Sequence, residues 1–456
     1  MNTHAKIVPE KQPVPMDWLA LESRTAPLPF ASRSDPETGL ADVPAARYAS
    51  RDYHLKECAN LWTRVWQMAC HASEIPEVGS YVTYDIARQS WIVMRVAPNE
   101  IRAYANACRH RGMALTEGRG RKAALTCPFH GWTWNLDGGL NRISEAWDFP
   151  QCKNAGMDLP QAQVAEWGGF VFINPDLEAA PFAEHIGNLT AHFAADPLEE
   201  RKVAFHVARV VPVNWKVAQE AFMESYHVSP THPQSVPVSG YAESQIDIWP
   251  DLPNSDRLWT VSVAPLSDGM KALPPQDFAD WAAEKTWREP IALKPGEIYR
   301  NALANQRRAE VSQAKGKSVD HLTDAELLDA IQYAIYPNFL PWYGYGVPIA
   351  YRFRPNGDNH DSSIMEVYVL SPRKVADPCP PAPEMAWVPP DEPFTMYPEL
   401  GRFGPILDQD VANFPRLQKG LEMGLASGQL TTVKLSAYQE ARIRHFHQLL
   451  EKWVGE

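Results

Sequence analysis

The sequence predicts an α+β protein, with a small all-β domain ahead of a larger domain of antiparallel strands and helices. Three observations carry that expectation. Between Gly79 and Asn106, residues 81–86, 91–96 and 101–104 are short runs rich in β-branched and aromatic residues, with Pro98-Asn99 marking a turn. Residues 167–174 (WGGFVFIN) close this part with one more strand-like run. Beyond residue 200, strand-sized runs alternate with charged, helix-length stretches, the pattern of a sheet flanked by helices.

The elements follow in order. Residues 1–45 are rich in Pro, Ser and Ala and lack periodicity, so they are expected to form an extended arm wrapping a body or a neighbouring subunit. Residues 50–70 read as an amphipathic helix running into a strand, with Leu55, Cys58, Leu61, Trp62 and Val65 at helical spacing. An all-β domain is placed at 46–165 and the second domain at 166–456, with flanking segments of the first packing partly on the second. In the second domain a helix is expected over 214–228, strands at 203–212, 258–264, 349–354 and 363–371, and a helical, charged insertion near 270–335. A helical stretch begins near Asp408, after a Pro-rich loop at 377–393.

Composition narrows the function. The 456 residues are 45% hydrophobic and 21% charged, as in an ordinary globular protein. The net charge of −12, without a dense Lys/Arg block, argues against nucleic acid and anionic membrane surfaces as partners. No apolar run is long enough to span a bilayer, and no basic-then-apolar leader opens the chain, so a cytoplasmic protein is expected. Six cysteines are too few for a disulfide scaffold and more apt to bind metal.

Four of the candidate metal ligands stand in two short motifs, Cys108-Arg109-His110-Arg111-Gly112 and Cys127-Pro128-Phe129-His130-Gly131-Trp132. Each contributes one thiolate and one imidazole, so two facing loops can clamp a metal centre. In a [2Fe–2S] cluster of this kind two Cys hold one iron and two His the other, which raises the reduction potential above that of all-Cys clusters. Zinc fingers pair like with like instead, as C-x-x-C and then H-x3–5-H. Gly112 and Gly131 allow the tight turns.

A second group lies in 214–234 (NWKVAQEAFMESYHVSPTHPQ). His227 is expected to end a helix and His232 to sit on the loop beyond, with Glu224 three residues earlier on the same helical face. Two imidazoles and one carboxylate make the facial triad of non-haem Fe(II) oxygenases. The carboxylate is sought in 406–413, where Asp408 and Asp410 lie two apart on a helix and so on different faces; spacing alone does not choose between them.

Taken with NACRHRG, CPFHGWTWNLDG, GGFVFINPD, YPNFLP and LDQDVANFPRLQKGL, these motifs resemble the Rieske non-haem iron oxygenases, specifically the terminal oxygenase (α) subunit of ring-hydroxylating systems, over nearly the whole chain. The resemblance implies a Rieske β-fold and a helix-grip catalytic domain, with a [2Fe–2S] cluster on Cys108, His110, Cys127 and His130. It implies a mononuclear Fe(II) on His227, His232 and a D-x-x-N carboxylate, which favours Asp410 over Asp408. It implies a head-to-tail trimer (α3 favoured, α3β3 the alternative) in which Glu224 bridges His227 to His130 of the neighbouring subunit. Many relatives have Asp at the position of Glu224.

O2 is then the co-substrate. NAD(P)H acts only indirectly, because the chain has neither a G-x-G-x-x-G fingerprint nor plant ferredoxin spacing, and a separate reductase, with or without a ferredoxin, must supply electrons. The expected reaction is mono- or dihydroxylation of an apolar, ring-containing, aromatic substrate, with O- or N-demethylation or desaturation as the alternative. The aromatic stretch 333–345, with Phe222 and Met223, is expected to line its pocket. A Rieske electron-transfer protein without oxygenase chemistry would leave the residues beyond the first domain unexplained.

Overall fold

The computed structural model describes residues 17–153, 155–236, 239–265, 268–286 and 288–455. The part of the arm at 1–16 lies outside the described residues. The N-terminal sheet has seven antiparallel strands in the order Gln67–His71, Phe170–Asn174, Gln161–Trp167, Glu100–Ala105, Gln89–Ala97, Ser80–Ile86 and Arg119–Arg121. A three-stranded sheet, Leu125–Thr126, Thr133–Trp134 and Leu140–Arg142, stands beside it. The expected domain boundary at 165 falls inside one of these strands. Gln161–Trp167 turns at Gly168-Gly169, both at positive φ, and its partner Phe170–Asn174 completes the sheet.

The second sheet has eight strands, from Gln245–Asp247 at one edge through Ser255–Thr260, Ala330–Ile335, Phe339–Tyr343, Ile349–Asn356, Asn359–Pro372 and Arg201–Val211 to Ala386–Trp387 at the other. Only the last pairing is parallel. The long helix Phe403–Ala426 buries Leu407, Val411 and Phe414 among Val207, Phe353 and Met365 of the sheet. The same apolar cluster takes in Val93, Val171 and Ile173 of the N-terminal sheet, so one core joins the two sheets. Among the described residues no helix is long and apolar enough to cross a membrane.

Three expectations need correction. The helix expected over 214–228 spans only Trp215–Glu220; Phe222 and Met223 donate to Gln219 and Glu220 three residues back, which tightens and ends it. The helical insertion stops short of 335, because Ala330–Ile335 is a central strand of the second sheet; helices occupy Pro275–Lys285, Tyr299–Lys315 and Asp324–Leu328, over a small core of their own. In the helix Arg51–Asn60, the buried face includes His54 and Glu57 while Leu55 is half-buried. Glu57 is tolerated there because Lys216 Nζ reaches its carboxylate at 2.7 Å.

The described arm lies on its own chain. Trp18 stacks on Trp259 with ring centroids 3.8 Å apart, and Phe30 closes on the same indole at 4.7 Å. Arg257, paired with Asp247 at 2.7 Å, donates to the carbonyls of Phe30 and Ser32. Trp18→Ala should therefore cost about 3 kcal/mol of stability and free the arm for proteolysis, measured by denaturant unfolding and limited trypsin digestion.

Candidate metal centres and active site

The two cysteine/histidine loops are built alike. Cys108 N–H donates to Met113 O (2.8 Å) and Cys127 N–H to Trp132 O (2.8 Å), while Gly112 and Gly131 donate back to Cys108 O and Cys127 O. Both glycines have positive φ (77° and 74°), the conformation that brings each chain back on itself after four residues. The loops thus present the four side chains toward one another: the His110 and His130 rings lie 4.8 Å apart, and His110 stacks on Trp132 at 5.0 Å.

Their chemistry fits an iron–sulfur cluster. His110 Nδ1 is buried without a hydrogen-bond partner, an orphan that a metal would satisfy. Burial, with the charge of Arg111 and the His110 ring adding to it, holds His130 below its ordinary pKa and so neutral, as a ligand must be. Burial opposes ionisation of Cys127, yet N–H groups of Phe129 and His130 aimed at its sulfur hold it below the usual thiol range. Among the described residues, groups of three donors within 4.8 Å of one another occur at His227–His232–Asp410 and His54–Cys58–Asp358. The remaining cysteines, Cys58, Cys70, Cys152 and Cys379, are free thiols.

The second centre forms where the chain leaves the helix Trp215–Glu220. Residues 221–227 form turns, held by Arg442 donating to Met223 O and by Ser225 Oγ donating to Tyr241 O. One helical turn, Val228–Thr231, then separates His227 before it from His232 after it. His227 therefore starts this turn rather than ending the preceding helix. Asp410 comes from the helix Phe403–Ala426, whose register is tied to this segment two turns further on by Asn214 N–H donating to Gln418 Oε1 at 2.9 Å.

The donor atoms converge on one point. His232 Nε2 lies 2.8 Å and His227 Nε2 3.5 Å from Asp410 Oδ1. The outer nitrogens are both engaged by oxygen acceptors: His227 Nδ1 by Glu224 Oε1 at 2.7 Å and His232 Nδ1 by Gln409 Oε1 at 2.8 Å. An acceptor there keeps the proton on Nδ1 and leaves the Nε2 lone pairs facing inward. Burial pushes His227 down, but the Glu224 carboxylate outweighs it and raises the pKa. Asp408 points away and accepts from the N–H groups of Phe394 and Thr395, at 2.6 and 3.1 Å. Sequence reasoning missed Gln409, whose own partner is Gln234 (2.8 Å); nothing local marks a glutamine as the orienter of a histidine 177 residues away.

A cavity of about 180 Å³ opens over this triad, walled by Phe222, Val228, Leu258, Trp342, Tyr351 and Phe403. Of the aromatic stretch 333–345, Trp342 alone reaches it; Tyr333, Tyr336, Phe339, Tyr343 and Tyr345 are buried in the core of the sheet and insertion. Met223 is buried as well, away from the lining.

The sequence matches the ring hydroxylating alpha subunit (catalytic domain) family over residues 191–456 and the Rieske [2Fe-2S] domain over 65–152, and the chain belongs to this family of Rieske non-haem iron oxygenases. Its cofactors are accordingly a [2Fe–2S] cluster and a mononuclear iron. The chain is similar to the carnitine monooxygenase oxygenase subunit of Escherichia coli (strain K12), 30% identical over 55% of this chain and 66% of the relative. It is similar to the anthranilate 1,2-dioxygenase large subunit of Acinetobacter baylyi, 32% identical over 43% of this chain and 44% of the relative. These matches span about half to two-thirds of the curated relatives. In fold it is similar to a quaternary ammonium Rieske monooxygenase, with a TM-score of 0.65 and 17% identity over 92% of this chain and 99% of that one.

If the triad holds iron, Asp410→Ala and His232→Ala should each reduce metal content from about three irons per chain to about two, read by elemental analysis. Asp408→Ala should keep all the iron and cost about 1 kcal/mol of stability, since it removes only an acceptor for two N–H groups.

Proposed function

We propose that this chain is a terminal oxygenase component that uses O2 and electrons from a separate reductase to hydroxylate an apolar, ring-containing substrate. The observation that carries the reading is the opening of the His227–His232–Asp410 triad onto an apolar cavity. In this reading Cys108 and Cys127 hold one iron of the cluster, His110 and His130 the other, and the triad holds the mononuclear iron. The bound groups supply one-electron transfer at the cluster and O2 activation at the iron. Phe222, Trp342, Tyr351 and Phe403 exclude water and press an apolar ring toward the triad.

Glu224 has a second role in this proposal. Its carboxylate accepts from both the ring and the backbone N–H of His227, at 2.7 and 3.0 Å, so it orients that ligand. Among the described residues no hydrogen bond joins the loops 108–112 and 127–132 to residues 214–234 or 403–413 of the same chain. Met113, Phe129 and Trp147 stand exposed around the loops, and Tyr226 stands exposed beside Glu224. Apolar surface at both places supports a head-to-tail homotrimer in which Glu224 joins the two centres across a subunit boundary. The electron donor is a reductase, with or without a ferredoxin, and the compartment the cytoplasm.

A second reading is oxidation of a quaternary ammonium compound, as the names of the carnitine-oxidising relatives suggest for those proteins. Trp342 and Tyr351 in the cavity favour it, because aromatic faces attract such cations. Product analysis with a surrogate reductase decides between them: hydroxylated or dihydroxylated ring products support the first reading, and oxidation of carnitine the second. Glu224→Gln should keep cluster and iron, by EPR and metal content, yet lower coupled product formation by about 10- to 100-fold. Unchanged turnover would remove Glu224 from the path.

A further inference from the structure

The iron-side cavity has a larger neighbour. A chamber of about 640 Å³ adjoins it, with Ser235, Ser239, Ala330, Val347, Phe403 and Ile406 lining both. The outer wall of this chamber carries Lys285, Arg288 and Arg402. Arg288 and Arg402 also line the groove beyond, of about 390 Å³, together with Arg307.

Most buried arginines of the described residues have a carboxylate partner, although Arg444 is held by three backbone carbonyls instead. Arg201, Arg257, Arg300, Arg308, Arg352 and Arg442 are all buried, and each is paired with a carboxylate. Arg288 and Arg402 have no ion pair among the described residues. Arg288 Nη1 is buried without any partner, and Arg402 donates only to the carbonyl of Gly346. Lys285 is paired with Glu284 and Arg307 with Glu310, whose charge also acts on Arg288 from the groove. Glu289 also lines the groove, but it is exposed and forms no ion pair with either arginine.

Arg402 is exposed, while Arg288 is half-buried; desolvation of the Arg402 guanidinium, with repulsion from Arg288 and Arg307, pushes its pKa down to about 10. Two guanidinium groups that repel each other and have no ion pair of their own are an arrangement that an anion entering the chamber would relieve. A planar carboxylate matches their fixed fork of N–H donors.

We propose that the substrate bears a carboxylate at the end of an apolar body, and that Arg402 and Arg288 anchor it while the far end lies over the triad. This assignment rests on the oxygenase reading and narrows its substrate class to apolar carboxylic acids longer than a single ring. Arg402 and Arg288 are anchoring residues: they touch the substrate but not the reacting carbon.

The test uses the metal-loaded enzyme and calorimetric titration with biphenyl-4-carboxylate and 2-naphthoate, each against its primary amide. The acids should bind about 10-fold tighter than the amides at low salt, and the difference should shrink as ionic strength rises. Arg402→Gln and Arg288→Gln should each erase the preference without loss of iron, and Arg402→Lys should restore part of it. Equal affinity for acid and amide, equal weakening of both by Arg402→Gln, or failure of both acids to bind would overturn the proposal. Turnover is scored separately. Selective acid binding with no oxygenated product from any ring compound would sink the oxygenase reading and leave the anchor standing; amide hydroxylation without acid preference would do the reverse.

Discussion

A histidine has two nitrogens, and a metal centre forms only if the protein decides which one faces inward. Here that decision is made by two oxygen acceptors, Glu224 and Gln409, which occupy the outer nitrogens of His227 and His232. Both Nε2 atoms are thereby turned to the one carboxylate oxygen of Asp410. Much of the surrounding structure exists to hold those acceptors in place. Arg442 arrests the chain at Met223, Gln418 ties Asn214 to the long helix, and that helix delivers Gln409 and Asp410 together.

The two metal centres depend on different parts of the fold. The loop centre is a local device, two turns with the same hydrogen-bond pattern at the rim of the N-terminal sheets. The triad is a long-range device, drawn from the two ends of a single helical turn and a helix some 180 residues later, a separation near that of His232 and Gln409 (177). What joins them is the shared apolar core, in which Val171 and Ile173 of one sheet meet Val207 and Met365 of the other. A rigid common core is the condition for two centres to keep a set relation within an assembly.

Buried charge is handled consistently through the second domain. Glu57 and Lys216 neutralise each other beneath the helix that leads to His227, and Arg442 and Asp256 do so beneath the C-terminal helix Ala441–Val454. Such pairs contribute little net stability but leave only one arrangement in which no charge is stranded. Arg288 and Arg402 form no such pair among the described residues and instead line the chamber beside the triad's cavity.

What the sequence determined by itself was whatever depends on neighbours in the chain. The C-x-H and C-x-x-H loops, the alternating strands of the first sheet and the strands at 203–212 and 363–371 were legible because spacing alone dictates turns and faces. The family's motifs carried the reading further, to His227, His232 and the choice of Asp410. Tertiary structure decided the rest. The helix over 214–228 broke at Glu220, where distant Arg442 holds Met223 O, and residues 330–335 became a strand because pairing on both sides, with Ser255–Thr260 and Phe339–Tyr343, outweighed the helical run before them. The aromatics of 333–345 turned inward as core, since a central strand buries both faces. Gln409, Arg288 and Arg402 acquire meaning only from what lies opposite them, and contacts across hundreds of residues leave no periodicity for a sequence to show.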